Sequence, residues 1–384
     1  MKKEYRPIQQ PEILTLLQSY ELEYRSTAAD GSFYFDCPFC KGKGKLNVNT
    51  DNQLWRCNRC DEGGDAIAFV MKYHNVKFVQ ALNIIRKSPN NLNVAVRHTV
   101  FADNVDAKKP KFASPENIDA AYRKLLSLLT LNSVDRQDLK RRGLTNQAIE
   151  KFGFKSLPKK GDRREICAAI LNSGISLNGV PGFYRNTNHK YNKASGWCLN
   201  TYPGGYLIPY VNQDNQITGF QVRVRDLEAD KNFGKYMMYT SAGKPYGVPS
   251  KLEPHLVGYT GQKEVYLTEG ALKADIAHYF TCLDNHKKFA FLAIPGVNHT
   301  SMIREVFPKL KKMGVTTVYD CFDMDKVGND EVECNLYVRK AIGKIRELAF
   351  ENGLWWKPLT WNNGKGIDDH LLLRTQSRKK IKSS

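Results

Sequence analysis

Three features of the 384-residue sequence predict a multidomain α+β protein. Cysteines 37, 40, 57 and 60 form two C-x2-C pairs separated by sixteen residues, the spacing of a zinc ribbon. A segment rich in lysine and arginine follows, with helical and hairpin patterns. Last, apolar runs at 265–268 and 315–319 lead into acidic residues and then helical patterns, as strands of a parallel sheet do. The expected architecture is an N-terminal zinc ribbon (residues 1–90), a flexible linker (91–115), a mixed α+β basic subdomain (116–260), an α/β domain with a mainly parallel sheet (261–373), and a basic, disordered tail (374–384).

Bulk composition narrows the class of partner. The net charge of +19 favours a polyanion. The excess is strongest at residues 116–260, with 21 basic against 12 acidic groups, just ahead of the acidic residues of the last domain. No run approaches the roughly 20 apolar residues that span a bilayer, and the N-terminus lacks the apolar stretch of a signal peptide. A cytoplasmic protein with no membrane partner is expected. Nine cysteines in such a chain point to metal binding or burial before disulfides, and the scattered Cys167, Cys198, Cys282, Cys321 and Cys334 are expected in cores.

In the ribbon, Cys37, Cys40, Cys57 and Cys60 supply four thiolates, enough to close a tetrahedral zinc site with no open position. Such a site folds the module and does not catalyse. Lys41, Lys43 and Lys45 lie on the first knuckle and hairpin, Arg56 and Arg59 on the second, with Phe39 and Trp55 between. Cations interleaved with aromatics suit a phosphate backbone with stacked bases, although Trp55 itself reads as core. Gly63-Gly64 permits a tight exit from the second knuckle, and Asp65 can cap the helix that follows. The run from Cys57 through Gly63-Gly64-Asp65 to Ile85 resembles the zinc-binding domain of bacterial-type DNA primases. Many cellular members carry histidine at the second ligand, where this chain has Cys40; all-cysteine versions occur in phage-type relatives.

In the basic segment, helical periodicity starts near Asn117, Gly143 can stop one helix, and Thr145 can cap the next. The Arg142-Gly143-Leu144 turn resembles the opening of the polymerase domain of the same primases. Residues 205–225 predict a hairpin around Asn212 to Asn215. Arg223 and Arg225, two apart on a strand, should share a face. The order of Arg223, Lys235-Tyr236 and Tyr246-Gly247 resembles the primase basic subdomain. That resemblance implies that Arg223 and Lys235 face template and incoming triphosphate, with Arg225 among the nucleic-acid contacts.

The last domain carries the chemistry. Glu269-Gly270, Pro295-Gly296 and Asp323-Met324-Asp325 each end an expected strand, so the acids should gather at the carboxyl ends of neighbouring parallel strands. Three converging carboxylates with no permanent positive partner make a site for a hard divalent ion. Asp323 and Asp325, alternate on an extended segment, could share one ion; Glu269 could bind metal or act as a base, and is read as a ligand. This set resembles the Toprim domain of primases, topoisomerases and some nucleases. The resemblance implies Mg²⁺ or Mn²⁺ on Glu269, Asp323 and Asp325, with Asp368 from the late acidic pair as a further ligand. One departure is Lys273, where primases commonly carry an acid; it leaves the number of metal ions open.

The implied function is a DNA primase that makes short RNA primers on single-stranded DNA from ribonucleoside triphosphates. A replicative helicase would act in trans, inside a bacterial cell or phage-infected host. The short stretch after His370 points to a phage, plasmid or mobile-element variety. The alternatives are a non-catalytic single-strand-binding replication factor and a Toprim nuclease.

Overall fold

A computed structural model of the chain describes residues 12–28, 32–51, 53–87, 111–185, 196–201, 204–225, 234–284, 289–329 and 332–383. Most of the expected linker, 91–110, lies outside them. The chain divides into two compact units, Met1–Lys108 and Lys109–Ser384. The architecture is multidomain α+β, as expected.

The first unit is one antiparallel sheet with helices α1 (Ile13–Ser19), α2 (Ala66–His74) and α3 (Phe78–Lys87). Strands β1 (Tyr24–Thr27), β2 (Phe33–Phe35), β3 (Leu46–Asn49), β4 (Leu54–Cys57) and β5 (Gly63–Gly64) pair in sequence order. Period-two alternation sets its faces. Leu46, Val48 and Trp55 turn into the core with Phe35 and Phe69, while Asn47 and Arg56, directly opposite each other, point outward. The Asp65 carboxylate caps α2 by accepting from Ala68 N at 2.8 Å.

The second unit has two main sheets. Helices α4 (Pro115–Leu128), α5 (Ser133–Arg141), α6 (Asn146–Lys151) and α7 (Arg163–Leu171) accompany β6 (Lys155–Ser156) and the hairpin of β7 (Phe183–Arg185) and β8 (Trp197–Leu199). Strands β9 (Gly205–Val211), β10 (Ile217–Val224) and β11 (Tyr236–Met238) complete an antiparallel sheet of order β11-β10-β9-β6. As expected, Gly143 stops α5 with φ +88° and Thr145 caps α6.

The second sheet has order β12-β14-β13-β15-β16, comprising β12 (His255–Val257), β13 (Glu264–Glu269), β14 (Ala290–Ile294), β15 (Thr317–Asp320) and β16 (Trp355–Pro358). Only β12 runs antiparallel; β13, β14, β15 and β16 are mutually parallel. Alternating strand residues serve two cores. Val265, Leu267, Leu292 and Val318 pack against α9 (Thr300–Lys312) and α10 (Leu336–Glu351). Phe291 and Ala293 pack with α8 (Ala271–Asp284) and α11 (Ile367–Ser383). That second core also takes in Leu139, Leu144, Tyr206 and Tyr210, so side chains from both sides of residue 260 bury one another.

Three expectations need correction. The basic stretch from 374 is the continuation of α11 to Ser383, not a disordered tail. Ile367 and Leu371 anchor the first turns in the core, and propagating a started helix through arginine, glutamine and lysine costs little. The acidic pair does not lie on an extended segment: Met324–Lys326 is a 3₁₀ turn. Cys282 and Cys334 are exposed, whereas Cys167, Cys198 and Cys321 are buried.

Candidate functional site

Parallel pairing of β13 with β14 and β15 brings Glu269 and the loop after Asp320 to the same end of the sheet. Gly270, at φ +81°, turns the chain straight into α8, and its N–H donates to Ile294 O at 2.7 Å. That turn puts Lys273 on the first turn of α8, facing the acids. Lys273 Nζ donates to Asp323 Oδ1 at 2.5 Å and Glu269 Oε1 at 3.3 Å. The acids were expected to lack a permanent positive partner, and they have one. Burial works against the Lys273 charge, but Glu269, Asp323 and Asp368 more than offset it and hold the ammonium above the usual lysine range. Burial likewise pushes the Glu269 carboxyl up, helped by Asp323 and opposed by Lys273.

The other acids are arranged differently. Lys365 Nζ lies 3.1 Å from Asp325 Oδ2 and 3.9 Å from Asp323 Oδ2. Asp368, at the start of α11, has a side chain only 6 % exposed, and its Oδ2 lies 3.8 Å from Arg142 Nη1. Asp325 Oδ1 and Asp368 Oδ1 are buried without a hydrogen-bond partner. Beside Asp368 and Asp323 is Gly366. A Cβ there would collide with Asp368 Oδ1 and stand 3.3 Å from Asp323 Oδ1 and 3.5 Å from Lys273 Cε. The glycine keeps open the space between these groups.

The turn that carries Asp323 and Asp325 is fixed from beneath. Lys326 is 3 % exposed and donates to Asp320 O at 2.9 Å and Asp320 Oδ1 at 2.8 Å, with its ammonium over the Trp361 ring. Met324 N–H donates to Lys365 O at 2.9 Å, tying the turn to the loop that supplies Asp368.

Cations flank the acids. Arg142, mostly buried, lies against Asp138 at 3.4 Å as well as Asp368. Burial opposes its charge, while Tyr236, Tyr206, Asp138 and Asp368 sustain it. Arg223 stacks over the Tyr236 ring at 5.2 Å and lies 3.9 Å from Asp138. Burial and the nearby charges of Arg223, Arg142 and Lys273 hold Lys235 below its usual value. Arg225 is committed elsewhere, forming two hydrogen bonds of 2.9 and 2.6 Å with the buried Asp135 carboxylate. The sequence reading missed Arg142, Lys326 and Lys365. Its only signal for Arg142 was the position beside Gly143 in the helix-ending turn.

In the first unit the four cysteine sulfurs all lie within 4.8 Å of one another, with Sγ–Sγ separations of 3.9 Å for Cys37–Cys60 and 3.7 Å for Cys40–Cys57. A tetrahedron with metal–sulfur distances of ~2.3 Å has edges of ~3.8 Å. The donor set therefore fits zinc. The Cys37 thiol hydrogen bond and the amides of Arg59 and Cys60 bring the Cys57 thiol down to about 5, opposing burial. Among the described residues, no other group of three or more ligand side chains is gathered this tightly. Lys41, Lys43, Lys45, Arg56 and Arg59 are exposed, with Arg56 bonded to Asp61. Trp55, 2 % exposed, is core and donates to Asp65 O at 3.1 Å. A shallow cavity of about 530 Å³ opens on the outer face of the sheet, beside Asn47, Asn49, Arg56 and Gly63.

Residues 8–100 match the family of the CHC2 zinc finger. The chain is 24 % identical to the DNA primase of Lactococcus lactis over 339 residues, 86 % of this chain and 48 % of that protein. It is 26 % identical to the Helicobacter pylori DNA primase over 363 residues, 91 % of this chain and 57 % of that one. The chain is similar to bacterial DNA primases over most of its length. It spans about half the length of these curated primases. The Aquifex aeolicus primase zinc-binding and RNA polymerase domains align with 97 % of the chain at 17 % identity and a TM-score of 0.46. The alignment with the Helicobacter pylori primase, at 91 % of this chain, is long enough to take in most of both units. Among the described residues, no helix is long and apolar enough to cross a membrane.

Proposed function

We propose that the chain is a DNA primase that joins ribonucleoside triphosphates into short RNA on single-stranded DNA, using Mg²⁺ or Mn²⁺. The observation that carries this reading is one sheet end with two buried carboxylate oxygens without hydrogen-bond partners, on Asp325 and Asp368, and with Arg142 3.8 Å from Asp368. Carboxylate oxygens are the donors a hard divalent ion takes, and Gly366 leaves space beside Asp368 and Asp323, although these acids are not drawn together as tightly as the four cysteines. Asp323, Asp325 and Asp368 would hold it, with Glu269 at the margin. Bound there, the ion would lower the pKa of the attacking hydroxyl and offset charge on the leaving group.

In the reaction, the primer 3′-oxygen forms a bond to the α-phosphorus of the incoming nucleotide. The bond from that phosphorus to its bridging oxygen breaks, pyrophosphate leaves, and the hydroxyl proton passes to water. Arg142, Arg223 and Lys235 match the charge of a triphosphate; Lys235 is held below its usual value by burial first and by the neighbouring cations second. Lys41, Lys43, Lys45, Arg56 and Arg59 would hold the template backbone beside the ribbon's outer face. Arg225 is set apart from this role by its bond to Asp135. The same proposal includes action in the cytoplasm of a bacterial cell or phage-infected host and a replicative helicase in trans. A phage or mobile-element origin is part of it too, supported by the all-cysteine zinc set.

The test is incubation of the full chain with four ribonucleoside triphosphates, Mg²⁺ and a library of single-stranded DNAs. Template-dependent oligoribonucleotides are expected, with yield at least about a hundredfold lower in Asp323→Ala, on the scale of losing one preorganised charged partner. Binding without synthesis would favour the replication-factor reading; shortening of the DNA would favour a nuclease.

A further inference from the structure

The first N–H of a helix has no partner within the helix and must find one elsewhere. In α8 that amide belongs to Ala271, and it donates to the Tyr210 hydroxyl of β9 at 3.3 Å. The hydroxyl in turn directs its own proton to Gln221 Oε1 of β10, at 2.8 Å. That bond orients the Gln221 amide, whose Nε2 donates to Pro295 O at 3.3 Å, just beyond the end of β14. Tyr210 is fully buried and Gln221 nearly so. The chain of bonds thus leaves the parallel sheet at the turn after Glu269, crosses β9 and β10, and returns to the parallel sheet beside β13. A second tie runs alongside it. Val211 N–H donates to His255 Nδ1 at 3.0 Å, which places the imidazole proton on Nε2, and Nε2 donates to Asp275 Oδ1 at 3.0 Å. Ala271 and Asp275 lie about one helical turn apart. Consecutive residues of β9 therefore tie into α8, one directly and one through His255.

We propose that Tyr210 and Gln221 are positioning residues that set Glu269 and Lys273 against the cations of the antiparallel sheet. This deepens the primase reading and rests on it for the identity of the reaction. Gln221 and Arg223 are alternate residues of β10, so their side chains leave the same face of one strand. The strand that carries Arg223 over the Tyr236 ring is therefore also bonded to the loop beside Glu269. Phenylalanine and methionine would fill the two places with similar volume and apolar contact. Apolar contact has no direction. What the hydroxyl and the amide add is geometry, and a buried polar chain with every member satisfied makes a core rigid. Without it, the acids can shift against Arg223 while Arg142, Arg223 and Lys235 keep their own arrangement.

The experiment is steady-state primer synthesis by the zinc-loaded full chain, at a temperature where circular dichroism shows each variant folded. Tyr210→Phe should lower kcat at least about tenfold and leave KM for ribonucleoside triphosphates within about twofold, because reacting groups are displaced while substrate contacts remain. Tyr122→Phe removes another fully buried tyrosine hydroxyl, bonded to Pro181 O at 3.0 Å, and should leave kcat unchanged. Gln221→Met should match Tyr210→Phe, and the double variant should be no slower than either, since both act through one chain of bonds. A wild-type kcat in Tyr210→Phe, an equal fall in Tyr122→Phe, or losses that multiply in the double variant would each overturn the proposal. If Tyr210→Phe does not fold, Gln221→Met against Tyr122→Phe decides. The two readings fail separately. No primer from the wild type sinks the primase reading, and the positioning role is then read from hydrogen exchange at the Ala271 amide. That rate should rise at least about tenfold in Tyr210→Phe and not in Tyr122→Phe; an unchanged rate in Tyr210→Phe would overturn the role.

Discussion

Lys326 and Lys273 follow the same physics at two depths. Lys326 is buried against Asp320 beneath the acidic turn, and removing one partner of a buried pair leaves the other charge stranded. Lys326→Met should therefore destabilise the second unit by about 3 kcal/mol, whereas Lys326→Met with Asp320→Leu should recover most of the loss. Urea unfolding followed by circular dichroism measures both; a single variant as stable as wild type would show that the pair does not fix the turn. At Arg142 the expected change is in substrate handling. Arg142→Ala should raise KM for ribonucleoside triphosphates about tenfold or more, the loss of a charge-assisted contact. An unchanged KM in a steady-state primer assay would remove Arg142 from the triphosphate site. The acids at 269, 323, 325 and 368 were legible because each follows a strand-like run or joins a recognisable acidic pair. Their positive partners were not. Asp323 and Lys273 are 50 positions apart, and only the parallel pairing of β13 and β15 brings them together. The scattered cysteines make the same point: burial depends on which face of an element meets the core, and Cys282 and Cys334 fall outside it.

Among the elements, strands were easier to read than the loops that finish the site. The apolar runs of β13 and β15 marked their positions, as did Asp65, Gly143 and Thr145 at helix ends. The acidic turn was read as extended because alternate acids mimic a strand. Its real shape is imposed by Lys326, Asp320 and the Met324–Lys365 hydrogen bond, contacts no local pattern reveals. In α11, the run of lysines looked like a solvated tail, although its first turns pack in the core and carry the helix on. Gly143 tests the helix-ending turn directly. With φ +88° and Phe280 and Leu372 close to where a Cβ would lie, Gly143→Ala should cost at least about 1 kcal/mol from the backbone alone. A lower thermal midpoint is expected; an unchanged one would mean the turn adapts freely.

For the whole molecule, the two units have separate cores. The first unit's core draws on residues from Ile13 to Ile85 and includes Cys37, Cys40 and Cys57, so losing the metal should remove its main staple. Structural zinc supplies about 10 kcal/mol or more to domains of this kind. Chelation should therefore strip hydrogen-exchange protection from the amides of Leu46, Trp55 and Phe69 and leave those of β13 and β14 unchanged. Equal loss in both units would contradict independent cores. The sequence showed where the zinc unit lay by cysteine spacing, but it could not show that residues before and after 260 share one core. Contacts such as Tyr206 and Leu144 against α8 exist only after folding. The central claim is that this shared core holds a metal-dependent nucleotidyl-transfer centre. Its most direct test is the yield of the first dinucleotide on single-stranded DNA with Mg²⁺, wild type against Asp325→Ala. The account predicts a 5′-triphosphorylated ribodinucleotide from the wild type and none above background from the variant; no dinucleotide from the wild type, or equal yield from both, would contradict it.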